Sequence, residues 1–226
     1  MFSFFTRHVF VFYLTYLDQV GIIIIIYLKL LRVGLNTRKM NDSFFVKNGL
    51  QNEDLQAFQN ELAHKHLKKG MLFISYEQVI RHIAFVEKGY LRTYHTNEYG
   101  DEVTTEFSLP DTFCTSYYSF YTQQPAFEFI KAITDCELHL LSYASLQKLY
   151  AQSFAMNVFG RTILERSCIE RDLRLKKIMH MTAKEKYEWF LCSYPEIYKV
   201  AKLIHIASFL GIKPETLSRV RRKIIS

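Results

Sequence analysis

The chain has 226 residues, of which 49% are hydrophobic and 15% aromatic, so it is too apolar for a disordered protein and long enough to bury the core of one or two domains. Its formal net charge is +7 at pH 7, and its four cysteines form no CxxC pair, which argues against a zinc finger or an iron–sulfur cluster. We interpret them as reduced cysteines of a cytoplasmic protein.

The positive charge is unevenly distributed along the chain. Residues 1–40 carry a net charge of +4, residues 41–160 carry −5, and residues 161–226 carry +8. A mildly acidic body followed by a basic C-terminal part indicates an anionic partner at that end, although a solvated basic face fits the same numbers.

The first forty residues are unusually apolar. Residues 9–31 are long enough to cross a bilayer, but Asp18 and Gln19 fall near the middle of this stretch. As a membrane anchor it would leave its C-terminal side in the cytoplasm, because Arg32 and Arg38 follow it. We favour the other interpretation, in which Met40 is the natural start and residues 1–39 are translated upstream DNA.

Residues 41–152 have the pattern of a small β domain. Leu55, Phe58 and Leu62 recur at helical spacing after Asn52, which predicts a short amphipathic helix with Asn52 as its N-cap. Short aromatic and β-branched segments then alternate with turn residues, which predicts an antiparallel β jelly roll in an α+β chain. The predicted strands cover residues 71–75, 82–86, 89–96, 102–107, 127–134 and 136–142.

A long helix is predicted over residues 153–181, which contain no proline and one glycine, Gly160. Four side chains spaced by 4, 7 and 4 residues follow one face of it, with Leu173 and Ile178 broadening the stripe and Arg171 interrupting it. We predict that this face forms a homodimer, with packing inside the chain as the alternative. The predicted dimerisation residues are Leu164, Cys168, Leu175 and Met179.

The C-terminal domain, residues 182–226, begins with a capping signal. Thr182, followed three residues later by Glu185, predicts a helix over residues 182–194, and Pro195 is predicted to end it. The next segment, "IASFLGIKPETLSRVRRKI", has the spacing of a helix-turn-helix. Ala207 allows the two helices to cross closely, and Gly211 suits the left-handed residue that ends the first of them.

Other positions in this segment agree with the same motif. Pro214 suits the first turn of the second helix. Apolar residues occupy the positions that are buried between the helices: Ile206, Leu210, Ile212, Leu217 and Val220.

The outward face of the second helix combines side chains that bind DNA bases with side chains that bind phosphates. Arginine can donate two hydrogen bonds to guanine, and glutamate can accept one from cytosine, while lysine, serine and threonine typically bind phosphates. The predicted DNA-binding residues are Lys213, Glu215, Thr216, Ser218, Arg219, Arg222 and Lys223.

A β roll, a long helix and a C-terminal helix-turn-helix in this order resemble the bacterial Crp-Fnr transcription regulators, from Met40 onward. The resemblance is sharpest in "IASFLGIKPETLSRVRRKI" and extends to "EKGYLRTYHTNEYGDEVTTEFSLPDTF" in the effector domain. It implies a homodimer that binds an inverted-repeat operator in double-stranded DNA and contacts RNA polymerase. By the same analogy Glu215, Ser218 and Arg219 would read a TGA-type half-site.

The sequence departs from the nucleotide-binding members of that family. Where they carry Gly-Glu and Arg-Ser/Thr, this chain has Phe113-Cys114-Thr115-Ser116 and Ala126-Phe127-Glu128. Glu128 would repel a phosphate, and Lys131 is more typical of a solvated strand lysine than of a substitute cation. We therefore predict that neither cyclic AMP nor cyclic GMP binds at the family's site, and we predict no cofactor. The sequence leaves open whether an unidentified small-molecule effector, other than cyclic AMP, exists. The chain ends soon after the second helix, so a short or absent wing is expected.

Two residue groups in the roll are open to more than one interpretation. His64 and His66 could share a strand face as ligands, but paired surface histidines are commoner, and we predict no metal site. An aromatic group either lines an effector pocket or, as we favour, belongs to the core: Phe113, Tyr117, Tyr118, Phe120, Tyr121, Phe127 and Phe129.

No nucleophile elbow, phosphate-binding glycine loop or HExxH motif is present, so we predict that the protein is not an enzyme. Two alternatives to a DNA-binding regulator remain: a membrane-tethered sensor anchored by residues 9–31, and an interaction module with a degenerate cyclic-nucleotide-binding fold that does not bind DNA.

Overall fold

The computed structural model describes residues 42–225, so the apolar stretch 9–31 and the predicted start at Met40 lie outside the described residues. Within the described range, no helix combines the length and the apolar character needed to span a membrane. The helices and strands are α1 (Asp42–Lys47), α2 (Asn52–Asn60), β1 (Leu62–Leu67), β2 (Leu72–Ile74), β3 (His82–Lys88), β4 (Leu91–Thr96), β5 (Glu102–Ser108), β6 (Thr112–Cys114), α3 (Tyr117–Thr122), β7 (Phe129–Ala132), β8 (Cys136–Ser142), α4 (Tyr143–Gln152), α5 (Phe154–His180), α6 (Ala183–Ser193), α7 (Pro195–Val200), α8 (Leu203–Phe209) and α9 (Pro214–Ile225).

The strands form two antiparallel four-stranded sheets, with orders β1-β8-β3-β6 and β2-β7-β4-β5. Side chains from both sheets meet in one buried core that includes Val86, Leu91, Ile130 and Leu138. Buried and less buried residues alternate along β7, whereas β3 and β4 each bury four consecutive residues. Helices follow the strands along the chain, so the predicted α+β class with an antiparallel jelly roll is confirmed.

The start of the roll differs from the sequence prediction in two places. Asn52 is the first residue of α2 rather than its N-cap; Gln51 occupies the cap position and makes no side-chain cap hydrogen bond. Leu62 does not continue that helix but begins β1, where it pairs with Leu141. Backbone pairing with the adjacent strand β8 therefore prevails over the local helical spacing.

The long helix α5 begins at the end of the roll. The Ser153 side chain caps it by accepting a hydrogen bond from the Met156 N–H at 3.1 Å. Phe159, in the second turn, is buried among the phenylalanines of the roll, with its ring centroid 5.8 Å from that of Phe45. The first part of α5 is therefore fixed to the roll, and most side chains of its second half are exposed.

Four shorter helices follow α5 and share a second core. The predicted capping box at Thr182 and Glu185 is present at the start of α6. Pro195 does follow the end of that helix, but it also occupies the first turn of α7, where its missing N–H needs no partner. Phe107 of strand β5 belongs to the same core as Phe190 and Phe209, so these helices pack directly on the roll.

Candidate nucleic-acid interface

The turn between α8 and α9 has the geometry predicted for a helix-turn-helix. Gly211 has φ +64°, in the left-handed region that favours glycine. The Ile212 N–H donates to the Ala207 carbonyl, and the Gly211 N–H donates to the Ser208 carbonyl, both at 3.0 Å. This pair of bonds is the Schellman arrangement that ends a helix and redirects the chain, after which Pro214 begins α9.

The predicted interhelical positions are buried to different extents. Ile206, Leu210 and Leu217 are fully buried in the second core. Ile212 and Val220 are half-buried and pack against it. Because these apolar residues face inward, the polar residues between them are held on the outer side of α9.

The outer side of α9 presents the predicted DNA-binding residues to solvent. Lys213, Glu215, Ser218, Arg219, Arg222 and Lys223 are all exposed, whereas Thr216 is half-buried. Arg219 donates a long hydrogen bond of 3.4 Å from its Nε to the Glu215 carbonyl, and no described carboxylate forms an ion pair with it. The helix therefore carries cations whose charge is available to a partner.

Arg221 is a cation of α9 that differs from its neighbours. It is half-buried, and its charge opposes the rise in the pKa of Tyr187, which burial raises to about 12. Arg221 follows Leu217 by four residues, so it lies beside the buried face of α9. This spacing in the sequence could have distinguished Arg221 from the exposed Arg222.

The predicted dimerisation face lies on the exposed part of α5. Leu175 is 55% exposed and Met179 is 68% exposed, Cys168 is exposed, and Leu164 is half-buried. Ile169 is also exposed on this helix. Three of the four predicted residues are therefore apolar or weakly polar side chains open to solvent along one helix.

Two residues near this stripe contact other parts of the chain. Ile178 lies on the side of the helix-turn-helix, where its Cγ2 would be 3.1 Å from a Cβ added at Gly211. Arg171 faces the roll, where it forms a 2.9 Å ion pair with Glu106 and stacks on the Tyr117 ring. Arg171 nevertheless stays 53% exposed between Cys168 and Leu175 on the same side of the helix, so it still interrupts the stripe.

The roll residues that differ from those of nucleotide-binding proteins have different environments. Cys114 and Thr115 are buried, and the Thr115 hydroxyl donates to the His82 carbonyl at 3.0 Å. Phe127 is 61% exposed, and Lys131 is half-buried on β7. Glu128, by contrast, lines a cavity of about 430 Å³ between the roll, α5 and α8.

The aromatic residues near this region do not form one group. Phe120 is fully buried, as expected for core, but Tyr118 and Phe127 are exposed and lie ring to ring at 4.9 Å. Phe113 lines the cavity and also packs on Phe85. The core interpretation therefore holds for only part of the set.

The helix-turn-helix is joined to the roll by a polar contact at α8. The buried Arg92 guanidinium of β4 lies 2.5 Å from His205 Nδ1 and also pairs with Glu102. Burial, and next the Arg92 charge, lower the pKa of His205 to about 4, so this imidazole is neutral at pH 7. The Ser208 hydroxyl accepts from the Thr104 N–H at 2.9 Å. Sequence reasoning missed this contact because Arg92 and His205 are 113 positions apart.

His64 and His66 lie on one face of β1, as their spacing suggested. Each contacts a different oxygen of Glu137 on the neighbouring strand, at 2.9 and 3.2 Å. In the part of the chain that the structure describes, no three His, Cys, Asp or Glu residues are arranged to hold a metal ion. The two histidines thus have a structural partner.

Comparison with known proteins identifies the domain and the fold. Residues 64–153 match the cyclic nucleotide-binding domain family. No curated protein matches the chain.

Several solved structures share the architecture. FixK2 from Bradyrhizobium japonicum has a TM-score of 0.61 at 18% identity, over 73% of this chain and 84% of FixK2. The c-di-GMP-responsive regulator CLP of Xanthomonas campestris has a TM-score of 0.60 at 13% identity, over 76% of this chain and 90% of CLP. A Crp/Fnr-family regulator structure from Eubacterium rectale has a TM-score of 0.61 at 19% identity, over 80% of this chain and 86% of that one. Residues 64–153 therefore match the cyclic nucleotide-binding domain family, and the chain shares the fold of these solved regulators.

Proposed function

We propose that the protein is a dimeric, sequence-specific DNA-binding transcription regulator of the Crp-Fnr type. In this proposal residues 41–152 form the effector domain, residues 153–181 the dimerisation helix and residues 182–226 the DNA-binding domain. The observation that carries it is the outer face of α9, where exposed cations and Glu215 surround Ser218 at the end of a helix-turn-helix. Its likeness to solved regulators of this fold supports the same conclusion.

The side chains of α9 suit two kinds of DNA contact. Glu215 and Arg219 lie one helical turn apart and are exposed, so both can reach base edges in the major groove. Arg222 and Lys223 lie further along the helix, where they can neutralise phosphates of the same strand. The base-reading and phosphate-binding residues can therefore be separated by substitution.

Fluorescence anisotropy with the full-length chain tests DNA binding. The probe is a duplex that carries an inverted repeat of TGA half-sites, and its control is a scrambled duplex of the same composition. Arg219→Ala should weaken binding to the inverted repeat by about tenfold or more while changing binding to the scrambled duplex little. Lys223→Ala should weaken both and reduce the salt slope by about one.

A matched control is Lys199→Ala, because Lys199 is exposed, pairs with Glu196 and lies on α7 rather than on α9. It should leave both affinities and the salt slope unchanged. Equal losses on both duplexes for Arg219→Ala would show that this arginine does not read sequence. Absence of binding to either duplex by the unmodified chain would contradict the proposed function itself.

Dimerisation is proposed from the exposed stripe of α5. Leu164, Cys168, Leu175 and Met179 share one side of a 27-residue helix, and a twofold axis beside them would pair each residue with its own copy. The stripe would then be buried, which removes the cost of leaving Leu175 and Met179 in water.

The single cysteine in this stripe provides a direct test of the pairing. Copper-phenanthroline oxidation should join two chains through Cys168, giving a dimer band on a non-reducing gel. Cys168→Ser should abolish the band, whereas Cys192→Ser, which removes the other exposed cysteine, should leave it. A dimer band that depends on Cys192 instead would place the contact outside α5.

The effector domain is proposed to lack the phosphate-binding residues used for cyclic nucleotides. No arginine lies between Arg92 and Arg161 in the sequence, and Glu128 is at the cavity where an anionic phosphate would be repelled. Isothermal titration with cyclic AMP should therefore give no heat of binding. Saturable binding in the micromolar range would contradict this part of the proposal.

A further inference from the structure

The cavity of about 430 Å³ joins three parts of the molecule. Its walls include Thr105 of β5, Phe113 of β6, Glu128, Arg174 of α5 and Phe209 of α8. A space of this size, with aromatic walls, suits a small organic molecule. Its charged lining residues are three arginines and four carboxylates, namely Arg166, Arg171, Arg174, Glu106, Asp111, Glu128 and Glu170. It touches both the effector domain and the first helix of the helix-turn-helix.

Arg174, like Arg166, is a cation of this cavity that forms no ion pair with a described carboxylate. Arg171 pairs with Glu106, and Arg166 donates to Asn48, but Arg174 has no carboxylate partner among the described residues. Its hydrogen bonds run from Nη2 to the carbonyls of Phe209 and Thr104, at 2.9 and 3.5 Å.

The same side chain carries an unsatisfied polar group. The Nε of Arg174 is buried and has no hydrogen-bond partner within the described range. Burial also lowers the pKa of Arg174, which reflects the cost of holding a guanidinium out of water, while the Tyr194 and Glu106 charges oppose this shift. An anion that approached this group would relieve both costs.

We propose that Arg174 is the anchor for a small monocarboxylic acid with an apolar or aromatic body, and that this acid is the effector. This inference rests on the proposed function, because it names the ligand of the effector domain. The body would lie against Phe113 and Phe209. A carboxylate with one charge fits better than a phosphate with two, because Glu128 and Glu106 are at the same cavity.

Such a ligand would act on the DNA-binding helices through the guanidinium it binds. Arg174 donates to the carbonyl of Phe209, the last residue of α8, and its guanidinium stacks on the Phe209 ring at 4.2 Å. A carboxylate that draws the guanidinium toward the cavity weakens both contacts. The ligand therefore changes how firmly α8 is held against α5.

The only tryptophan of the chain reports on this change. Trp189 is stacked with Phe209 at a centroid distance of 6.1 Å, so its emission responds to movement of that ring. The full-length chain is titrated with benzoate, benzamide and phenyl phosphate, which share one ring and differ in the charge of the head group. Benzoate should give a saturable change in Trp189 emission, and the other two should bind at least about tenfold more weakly.

Substitutions in the cavity identify the group that binds. Arg174→Gln should weaken benzoate binding by about tenfold or more, because the charge-assisted hydrogen bond is lost. The matched control Arg161→Gln removes an exposed arginine of α5 that pairs with Glu165 and does not line this cavity, so it should leave benzoate affinity unchanged. Arg174→Lys keeps a cation, so it should retain part of the affinity, and circular dichroism of each variant verifies folding.

Three results would overturn the inference. The first is that benzoate gives no saturable response up to 50 mM, roughly the weakest affinity expected for a fragment of this size. The second is that benzamide or phenyl phosphate binds as tightly as benzoate. The third is that folded Arg174→Gln keeps the full affinity for benzoate. DNA binding is measured separately on the same samples. DNA binding without a benzoate site would leave the proposed function intact and contradict this inference. A benzoate site in a chain that does not bind DNA would support the carboxylate site but contradict its role as an effector site.

Discussion

Phe107 is the residue by which the roll and the C-terminal helices share a core, so its truncation should unfold both together. The side chain is 4% exposed, and its ring centroid lies 5.0 Å from that of Phe209 and 6.3 Å from that of Phe190. Truncating a buried phenylalanine removes its transfer free energy and leaves a cavity, and together these cost about 3–5 kcal/mol. Phe107→Ala should therefore lower the free energy of unfolding by this amount.

Urea denaturation followed by two probes measures the effect. Far-UV circular dichroism reports on the whole fold, and Trp189 fluorescence reports on the helices around Phe209. In Phe107→Ala both midpoints should shift to lower urea by the same amount. Phe127→Ala is the control, because Phe127 is 61% exposed and its truncation should cost less than about 0.5 kcal/mol. An unchanged tryptophan midpoint in Phe107→Ala would refute the shared core.

Two further predictions concern single residues of the DNA-binding domain. Burial lowers the pKa of His205 to about 4 in the folded chain, from an ordinary value of 6.5. The unfolded chain therefore binds more protons, and stability should fall as the pH is lowered from 6.5 toward 4. His205→Gln should flatten that decline in urea titrations, whereas exposed His180→Gln should leave it unchanged. Gly211→Ala should cost about 1–2 kcal/mol from its left-handed backbone and more from the contact with Ile178, while Gly100→Ala, with φ +84° and no neighbour within 4 Å, should cost only the backbone part. Equal midpoints for the two alanine variants would mean that Ile178 gives way freely.

The local features of the chain were predictable because each depends on residues close in sequence. The capping box at Thr182 and Glu185 and the left-handed Gly211 both follow from spacings of a few residues. The short aromatic and β-branched segments that alternate with turn residues are likewise a local pattern. For the same reason the exposed face of α9 could be derived from its helical period.

The features that were missed depend on distant residues. Leu62 belongs to a strand because β8 pairs with it, and the sequence around Leu62 does not show that partner. Arg171 pairs with Glu106 and Ile178 lies beside Gly211, and both contacts exist only in the folded chain. The cavity at Arg174 is a similar case, since its walls come from six separate helices and strands.

The pairing of charges in the structure sharpens the meaning of the basic C-terminal part. Four acidic residues after position 160 are taken up by lysines or an arginine three or four positions away on the same helix, and these pairs are Arg161–Glu165, Lys176–Asp172, Lys184–Glu188 and Lys199–Glu196. Exposed pairs of this kind add little stability, but they cancel charge locally. On α9, by contrast, none of the exposed cations Arg219, Arg222 and Lys223 forms an ion pair with a described residue. The exposed cations of α9 are therefore available to an anionic partner, and in the proposed function that partner is the extended polyanion DNA.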